Sequence, residues 1–441
     1  MIEKGKSLLL FLLVLLSLLQ SYFLAYSMPN MDPKVKTELD YVKAEPLGAE
    51  TTLDKLIFPE QMVLHMGNDK HTVFYPSTQP YYKLILDKLR VREFQGFQQD
   101  PIDVVNWDQV RRRDEGVELR FGRAVPFQLL QQVFKIDGDF LFSRDSINRI
   151  WIFSSKDRDE VRTFFFSSDG RNVYESQRAD ITGGDVKGYV GFGQYWDPYS
   201  SIDGKVYTPD KPVTRFKQMQ VNFSRYTTEQ MQDNLFFDPG TTRTIQDRKN
   251  GPQFYTDGKR GLKVEQNGGW MSYTDAVAST TGDNDLMDNV SAAVDFVNQH
   301  GGWNGRHQLV REIVPENGSG IRFQQYYKDA PVVSGNSITF GYMQLTLQQG
   351  DVASYERSLI VLGNEETNKK SRMLPGGEQL RMLLRQVETS TAKVEALFPA
   401  YKPSLNKDVL TFHPVWAARM TTGETVVISD SAPPPVVRQA P

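Results

Sequence analysis

The chain contains no cysteine, which removes structural disulfides, thiol nucleophiles and cysteine-based zinc sites together. Nor does it carry excess charge of one sign. Its 51 basic and 54 acidic side chains leave a formal net charge of −3, so no strong field draws in nucleic acid, which is not an expected partner. The run Arg111-Arg112-Arg113 is followed at once by Asp114 and Glu115 and reads as a solvated helix end. Common catalytic signatures are missing as well: no H-E-x-x-H and no G-x-S-x-G occurs, Gly191-Phe192-Gly193 lacks a third glycine, and there is no Walker-type phosphate loop.

Histidine is scarce, with five in the chain: His65, His71, His300, His307 and His413. His65 and His71 flank a turn and can meet across it, but no third ligand lies within sequence reach; both are expected as surface imidazoles rather than metal ligands. His300 falls at a helix C-terminus, where a partial positive charge suits the dipole. His413 shares a strand with Phe412 and Trp416 but points the other way, towards solvent. The acidic run at 283–288 (DNDLMD) has Met at the fifth position of a calcium loop and no following glycine. Its acids are therefore read as helix-opening caps. No metal, cofactor or catalytic residue is expected, although a carboxylate pair for glycan cleavage can come from anywhere in a sequence and stays an alternative.

What is present is a folded composition: 39% hydrophobic and 12% aromatic residues in 441 positions, too large for one core. Residues 7–26 (SLLLFLLVLLSLLQSYFLAY) carry no charge, and as a helix they would extend about 30 Å, the thickness of a bilayer's hydrocarbon core. Lys4 and Lys6 precede this run and no basic residue follows until Lys34, which places the N-terminus inside and the bulk of the chain outside the cell membrane. The competing reading is a signal peptide cleaved at Ala25-Tyr26-Ser27. Against it, Tyr22, Phe23 and Tyr26 are bulky where a peptidase prefers small residues, and they sit where an interfacial aromatic belt belongs.

The expected architecture is α+β: one N-terminal transmembrane helix and three extracytoplasmic α+β units. The segments are a cytoplasmic N-terminus at 1–6, the span at 7–26, a spacer at 27–50, an N-terminal domain at 51–180, a central domain at 181–281, a C-terminal domain at 282–430, and a flexible proline-rich tail at 431–441. In the first domain, Gly67-Asn68-Asp69 signals a hairpin. Tyr82, Ile85, Leu86 and Leu89 mark a helix near 79–92, and Phe127, Leu130 and Phe134 mark another. A glycine-rich stretch at 182–193 reads as the boundary to the central domain, where a short helix is expected at 227–236. The third domain opens with a helix carrying Leu286, Val290, Ala293, Val294 and Val297, closed by Gly301-Gly302. A bulge is expected near Tyr342, where the buried phase switches. A second long helix is expected from Pro375, with Leu380, Leu383, Leu384, Val387 and Val394 facing inward, stopping before Pro399. Tyr207–Val213 and Tyr326–Val332 share a Y-x-x-D-x-P-V pattern, suggesting that the last two units are related strand-helix-strand modules.

Several segments taken in order resemble the YycH family: 56–67 (LIFPEQMVLHMG), 323–332 (FQQYYKDAPV), 374–378 (LPGGE) and 414–416 (PVW). The likeness runs along essentially the whole chain. The resemblance implies a membrane-anchored accessory regulator of a WalK/YycG-like sensor histidine kinase governing cell-wall metabolism in Gram-positive bacteria. It implies a complex with a YycI-like sister protein, whose fold is similar to the C-terminal part, with contacts between transmembrane helices. The candidate contact residues are then Leu8, Leu9, Leu12, Leu13, Leu16, Leu19 and Phe23, together with the polar Ser17, Gln20 and Ser21, which can hydrogen-bond between helices. Lipid-facing leucines with polar residues near the outer interface are the plain alternative for any one of these positions. Two other classes of function remain open: an envelope enzyme acting on peptidoglycan, and an inhibitor or chaperone-like module for secreted enzymes.

Overall fold

The computed structural model describes Ser17, which is helical and exposed, and residues 47–428 except 79, 138–144, 247–251, 266–267, 277–284, 313–318, 335–337 and 349. The expected span, the spacer up to residue 46 and the proline-rich tail lie outside the described residues, as do all the candidate contact residues but Ser17. Among the described residues, no helix is long and apolar enough to cross a membrane.

A short helix, α1 (Leu53–Leu56), leads into the hairpin of β1 (Gln61–Met66) and β2 (His71–Phe74). Gly67, Asn68 and Asp69 all take positive φ, the conformation their sequence suits, and His65 falls opposite His71. Alternate residues of β1 enter different cores: Met62 and Leu64 face one, Val63 the other. Cover on both faces explains why the strand reads as a nearly unbroken apolar run. Helix α2 (Tyr81–Arg90) buries Tyr82, Ile85, Leu86 and Leu89 as their spacing predicts. The sheet is completed by β3 (Glu93–Pro101), β4 (Glu115–Pro126), β5 (Lys135–Asp137), β6 (Ser146–Ser155), β7 (Glu160–Ser167), β8 (Asn172–Ala179), β9 (Tyr199–Ile202) and β10 (Val206–Pro209). Their order is β10-β9-β2-β1-β4-β6-β7-β8-β3-β5. Two small helices, α3 (Trp107–Arg113) and α4 (Phe127–Leu130), interrupt it. In the last turn of α3, Arg112 and Arg113 are exposed as expected, but Arg111 is buried and paired with Asp108 at 2.7 Å.

The glycine-rich stretch expected as a domain boundary is largely helical. It forms α5 (Gly183–Gly191), opened by a capping box in which Thr182 and Asp185 satisfy each other's backbone N–H groups. Burial of Val186, Tyr189 and Val190 outweighs the low helix propensity of glycine.

Next come β11 (Lys217–Arg225), α6 (Thr228–Leu235), and the strands β12 (Arg243–Gln246), β13 (Gln253–Thr256), β14 (Arg260–Glu265) and β15 (Trp270–Asp275). Helix α7 (Leu286–Gln299) is capped by Asp285, which accepts from the backbone of Met287 and Asp288, in keeping with the capping role expected for this acidic run. It precedes β16 (Arg306–Glu312), β17 (Ser319–Tyr327), β18 (Ala330–Pro331), β19 (Tyr342–Gln348) and β20 (Asp351–Ser358). These strands form one nine-stranded sheet, β12-β13-β14-β15-β20-β19-β17-β16, with β18 on β17. Each half is a helix followed by a four-strand antiparallel meander, and the halves join at β15 and β20. The internal repetition therefore lies in these meanders and not in the shared Y-x-x-D-x-P-V pattern. Tyr326–Val332 encloses a tight turn with Lys328 and Asp329 at positive φ, whereas Asp210 and Lys211 stay out of that region.

The last sheet holds β21 (Ile360–Ser371), β11, β22 (Val394–Asn406), β23 (Val409–Met420) and β24 (Thr425–Ile428), in the order β21-β11-β23-β22 with β24 on β23. Residues 181–281 thus contribute strands to all three sheets rather than forming one of their own. Helix α8 (Gly377–Val387) ends seven residues before Val394, which begins β22. The expected helix to residue 398 is a helix and then a strand. Pro399 and Pro403 both lie within β22, and this is possible because β22 is an edge strand. The phase switch expected as a bulge near Tyr342 comes from Gly341 at φ +89°; the irregularity in the β19–β20 pairing sits at Thr346/Leu347.

Candidate functional site

The three sheets meet at a junction built from the motifs that carry the family resemblance. From 56–67, the Phe58 carbonyl accepts from Gln308 Nε2 at 2.7 Å, and Tyr326 Oη donates to Gln308 Oε1 at 2.7 Å. The Phe58 and Tyr326 rings meet edge to face at 5.2 Å. Tyr82 Oη donates to the Pro59 carbonyl. Glu60 is paired with Arg419, both buried, and the same guanidinium donates to the Gly122 carbonyl. Gln61 Nε2 donates to the Leu397 carbonyl at 2.6 Å, and Tyr75 Oη reaches that carbonyl at 3.2 Å. One four-residue stretch, 58–61, thereby ties the first sheet to both of the others.

The other motifs do similar work. Trp416 is 1% exposed and its Nε1 donates to the Pro375 carbonyl at 2.9 Å. Leu374 pairs with Val213, and Gly376 lies so close to Lys211 that a Cβ would meet the Lys211 carbonyl oxygen at 2.2 Å. Gln324 donates to the carbonyls of Val332 and Gly341 at 2.6 and 2.7 Å, while Val332 forms a parallel bridge to Tyr401 of the third sheet. Between these contacts lies a cleft of about 370 Å³ bordered by Phe58, Phe121, Tyr326 and Phe398, with Glu60 and Arg419 in its wall. Burial alone would lower the pKa of Arg419, but the Glu60 carboxylate outweighs it and raises the value, fixing the positive charge. Burial pushes the Tyr326 phenol well above its ordinary range.

The chain enters this assembly at 47–51 under tight restraint. Thr51 exchanges two hydrogen bonds with the Asn298 side chain at 3.0 and 3.1 Å, and Ala49 pairs with Trp303. Gly302, at φ +64°, packs against Gly48, where a Cβ would meet the Gly48 carbonyl oxygen at 2.5 Å. The entering chain is thus fastened to α7 and to the loop that follows it.

The histidines depart from expectation. His65 and His71 are buried rather than at the surface, with Nδ1 atoms 3.1 Å apart. His65 Nε2 lies 3.3 Å from Glu118, which also pairs with Arg120 and Arg149, each at 3.0 Å. Burial holds His65 below its ordinary pKa, and burial with the neighbouring His65 brings His71 down to about 4. For Glu118, burial favours the protonated acid, but Arg120, His65 and Arg149 together prevail and hold it well below the usual carboxylate range. Among the described residues, no group of three or more His, Cys, Asp or Glu side chains is placed to hold a metal. His300 caps α7 but is buried against the Asn234 carbonyl, and burial lowers its pKa, so a neutral ring replaces the expected partial cation. His413 is half-buried, bonded to Ser404 across the strands at 2.9 Å.

Of the candidate contact residues, Ser17 is described and exposed; the rest, with Lys4 and Lys6, fall outside the described residues. No local signal tied Glu60 to Arg419, which stand 359 positions apart. The P-E-Q-M and P-V-W motifs are legible in the sequence, but the partners of Gln61 and Trp416 are not.

A three-sheet α+β protein whose distinctive motifs converge on the seams between its sheets is the class that fold and site define. Two family models match: YycH protein, N-terminal domain, over residues 3–182, and YycH protein, C-terminal domain, over residues 203–427. The chain belongs to the YycH family. Its fold is similar to the crystal structure of YycH from Bacillus subtilis, with a TM-score of 0.68 at 19% identity over 87% of this chain and 99% of that one. The Bacillus megaterium YpeB C-terminal domain aligns at a TM-score of 0.26 and 13% identity, over 43% of this chain and 89% of that one. No curated protein sequence matches the chain.

Proposed function

We propose that this protein is a membrane-tethered accessory regulator of a WalK/YycG-like sensor histidine kinase, acting by binding and not by chemistry, together with a YycI-like sister protein. Family membership carries the reading: the N-terminal family model begins at residue 3, ahead of the apolar run, so the run is part of what the family shares. The uncharged length of residues 7–26 supports anchoring, with Lys4 and Lys6 on the cytoplasmic side. The buried carboxylates support a scaffold. Glu60 and Glu118 are each committed to guanidinium groups, which fixes charge where proton transfer would need it free.

A binding protein alters kinase output only through different affinities for the kinase's signalling states, and a coupling of about 1–3 kcal/mol is enough to be felt. The clamp at 47–51 supports a route by fastening the point where the chain enters the outer domains to α7. The test is a kinase-dependent transcriptional reporter in cells lacking the native gene. The full chain restores output. A version secreted without residues 1–26, and one with residues 7–26 exchanged for an unrelated apolar span, do not. Full restoration by the secreted version overturns the proposal.

A further inference from the structure

A second cavity, apart from the junction cleft, opens between α1, α2 and the start of β16, with a volume of about 520 Å³. Its floor is aromatic and aliphatic: Leu56, Phe58, Tyr82, Leu86 and Trp303 all border it and are almost fully buried. Its rim is cationic. Lys55, Lys83, Arg90 and Arg306 line it against two carboxylates, Asp87 and Asp329. Arg306 is committed to Asp329 and lies over the Phe58 ring at 4.3 Å. Among the described residues, that leaves three cations facing Asp87 alone. Arg90 donates to the carbonyls of Asp54 and Ile57, each at 3.2 Å, and to no carboxylate among the described residues. Lys55 and Lys83 form no ion pair there either, even though Asp87 stands one helical turn from Lys83. Three cations held around an apolar floor without matching anions leave a charge that a ligand can neutralise.

We propose that this cavity binds a small phosphate monoester carrying a ring, with the phosphoryl dianion between Lys55, Lys83 and Arg90 and the ring on the floor beside Trp303. A phosphoryl group near neutral pH carries close to two negative charges and three acceptor oxygens, which suits two ammonium groups and a guanidinium better than a carboxylate does. The aromatic floor accounts for the ring, since flat apolar surface stacks on it.

The test is isothermal titration calorimetry of the full chain in neutral detergent micelles, with phenyl phosphate as the probe. Binding tighter than about 1 mM is expected, with inorganic phosphate weaker and phenol giving no saturable heat. The double variant Lys55→Gln/Lys83→Gln, both exposed positions whose loss spares the fold, weakens binding at least about fivefold. Lys263→Gln, which removes a cation already paired with Glu265, leaves it unchanged. Competition by glucose 6-phosphate assigns the group to a soluble ester, and competition by phosphatidylinositol 4-phosphate in the micelles assigns it to a lipid headgroup. Absence of binding, equal binding of phenol, or binding that the double variant leaves intact overturns the proposal.

Discussion

Glu60 and Arg419 form a buried ion pair that joins the first sheet to the last across 359 positions of sequence. Such a pair is worth less for its attraction than for the cost of breaking it. Arg419→Met leaves the Glu60 carboxylate unpaired in the cleft wall and is expected to lower stability by about 3–5 kcal/mol, while Glu60→Gln with Arg419→Met recovers most of the loss. Denaturant midpoints of the three proteins check this. Equal destabilisation by the single and double variants contradicts it.

Trp416 and Pro375 lock α8 onto the last sheet. Trp416→Phe keeps an aromatic ring, though a smaller one, and leaves the Pro375 carbonyl without its donor, a loss of about 1–3 kcal/mol. Trp416→Ala adds a cavity and is expected to cost about 3–5 kcal/mol. Thermal melts in parallel decide whether the hydrogen bond or the volume matters more.

The clamp on the N-terminal segment is tested at Gly302. Gly302→Ala forces a Cβ against the Gly48 carbonyl oxygen, and a loss well above 1 kcal/mol is expected. Gly170→Ala is the comparison: its φ is +69° but nothing lies within 4 Å of the added carbon, so only the backbone cost of about 1 kcal/mol applies. Limited proteolysis should cut near residues 47–51 in the first variant and not in the second.

The buried histidine pair makes stability depend on pH. His71 titrates near 4 in the fold and near 6.5 when unfolded, so between these values the unfolded chain holds the extra proton. Stability is therefore full above about pH 6.5 and falls as pH drops towards 4, by about 3 kcal/mol for this one group. Urea unfolding from pH 7.5 to 4.5 should show this slope, reduced in His71→Gln. An unchanged slope in the variant places the effect elsewhere.

Much of the local structure was legible because local rules produced it. The left-handed turn at Gly67-Asn68-Asp69, the buried stripe of α2 and the Asp285 cap each follow from neighbours in sequence. Long-range packing overruled those rules elsewhere. Burial of Val186, Tyr189 and Val190 made a helix of a glycine-rich stretch, and edge position let β22 hold Pro399 and Pro403. The burial of His65 and His71 was invisible because their cover comes from Trp151 and Tyr207, whose rings lie 4.9 and 5.5 Å from them. The site was legible as motifs but not as a junction, since the partners of residues 58–61 are supplied by Arg419, Gln308 and Leu397.

The proposed regulatory role is tested most directly in proteoliposomes holding the sensor kinase and the sister protein. Autophosphorylation of the kinase is measured with the full chain, with residues 47–441 alone, and without either. A changed rate with the full chain and no change with 47–441 is the predicted result. The same rate in all three, with the full chain present in the membrane, contradicts it.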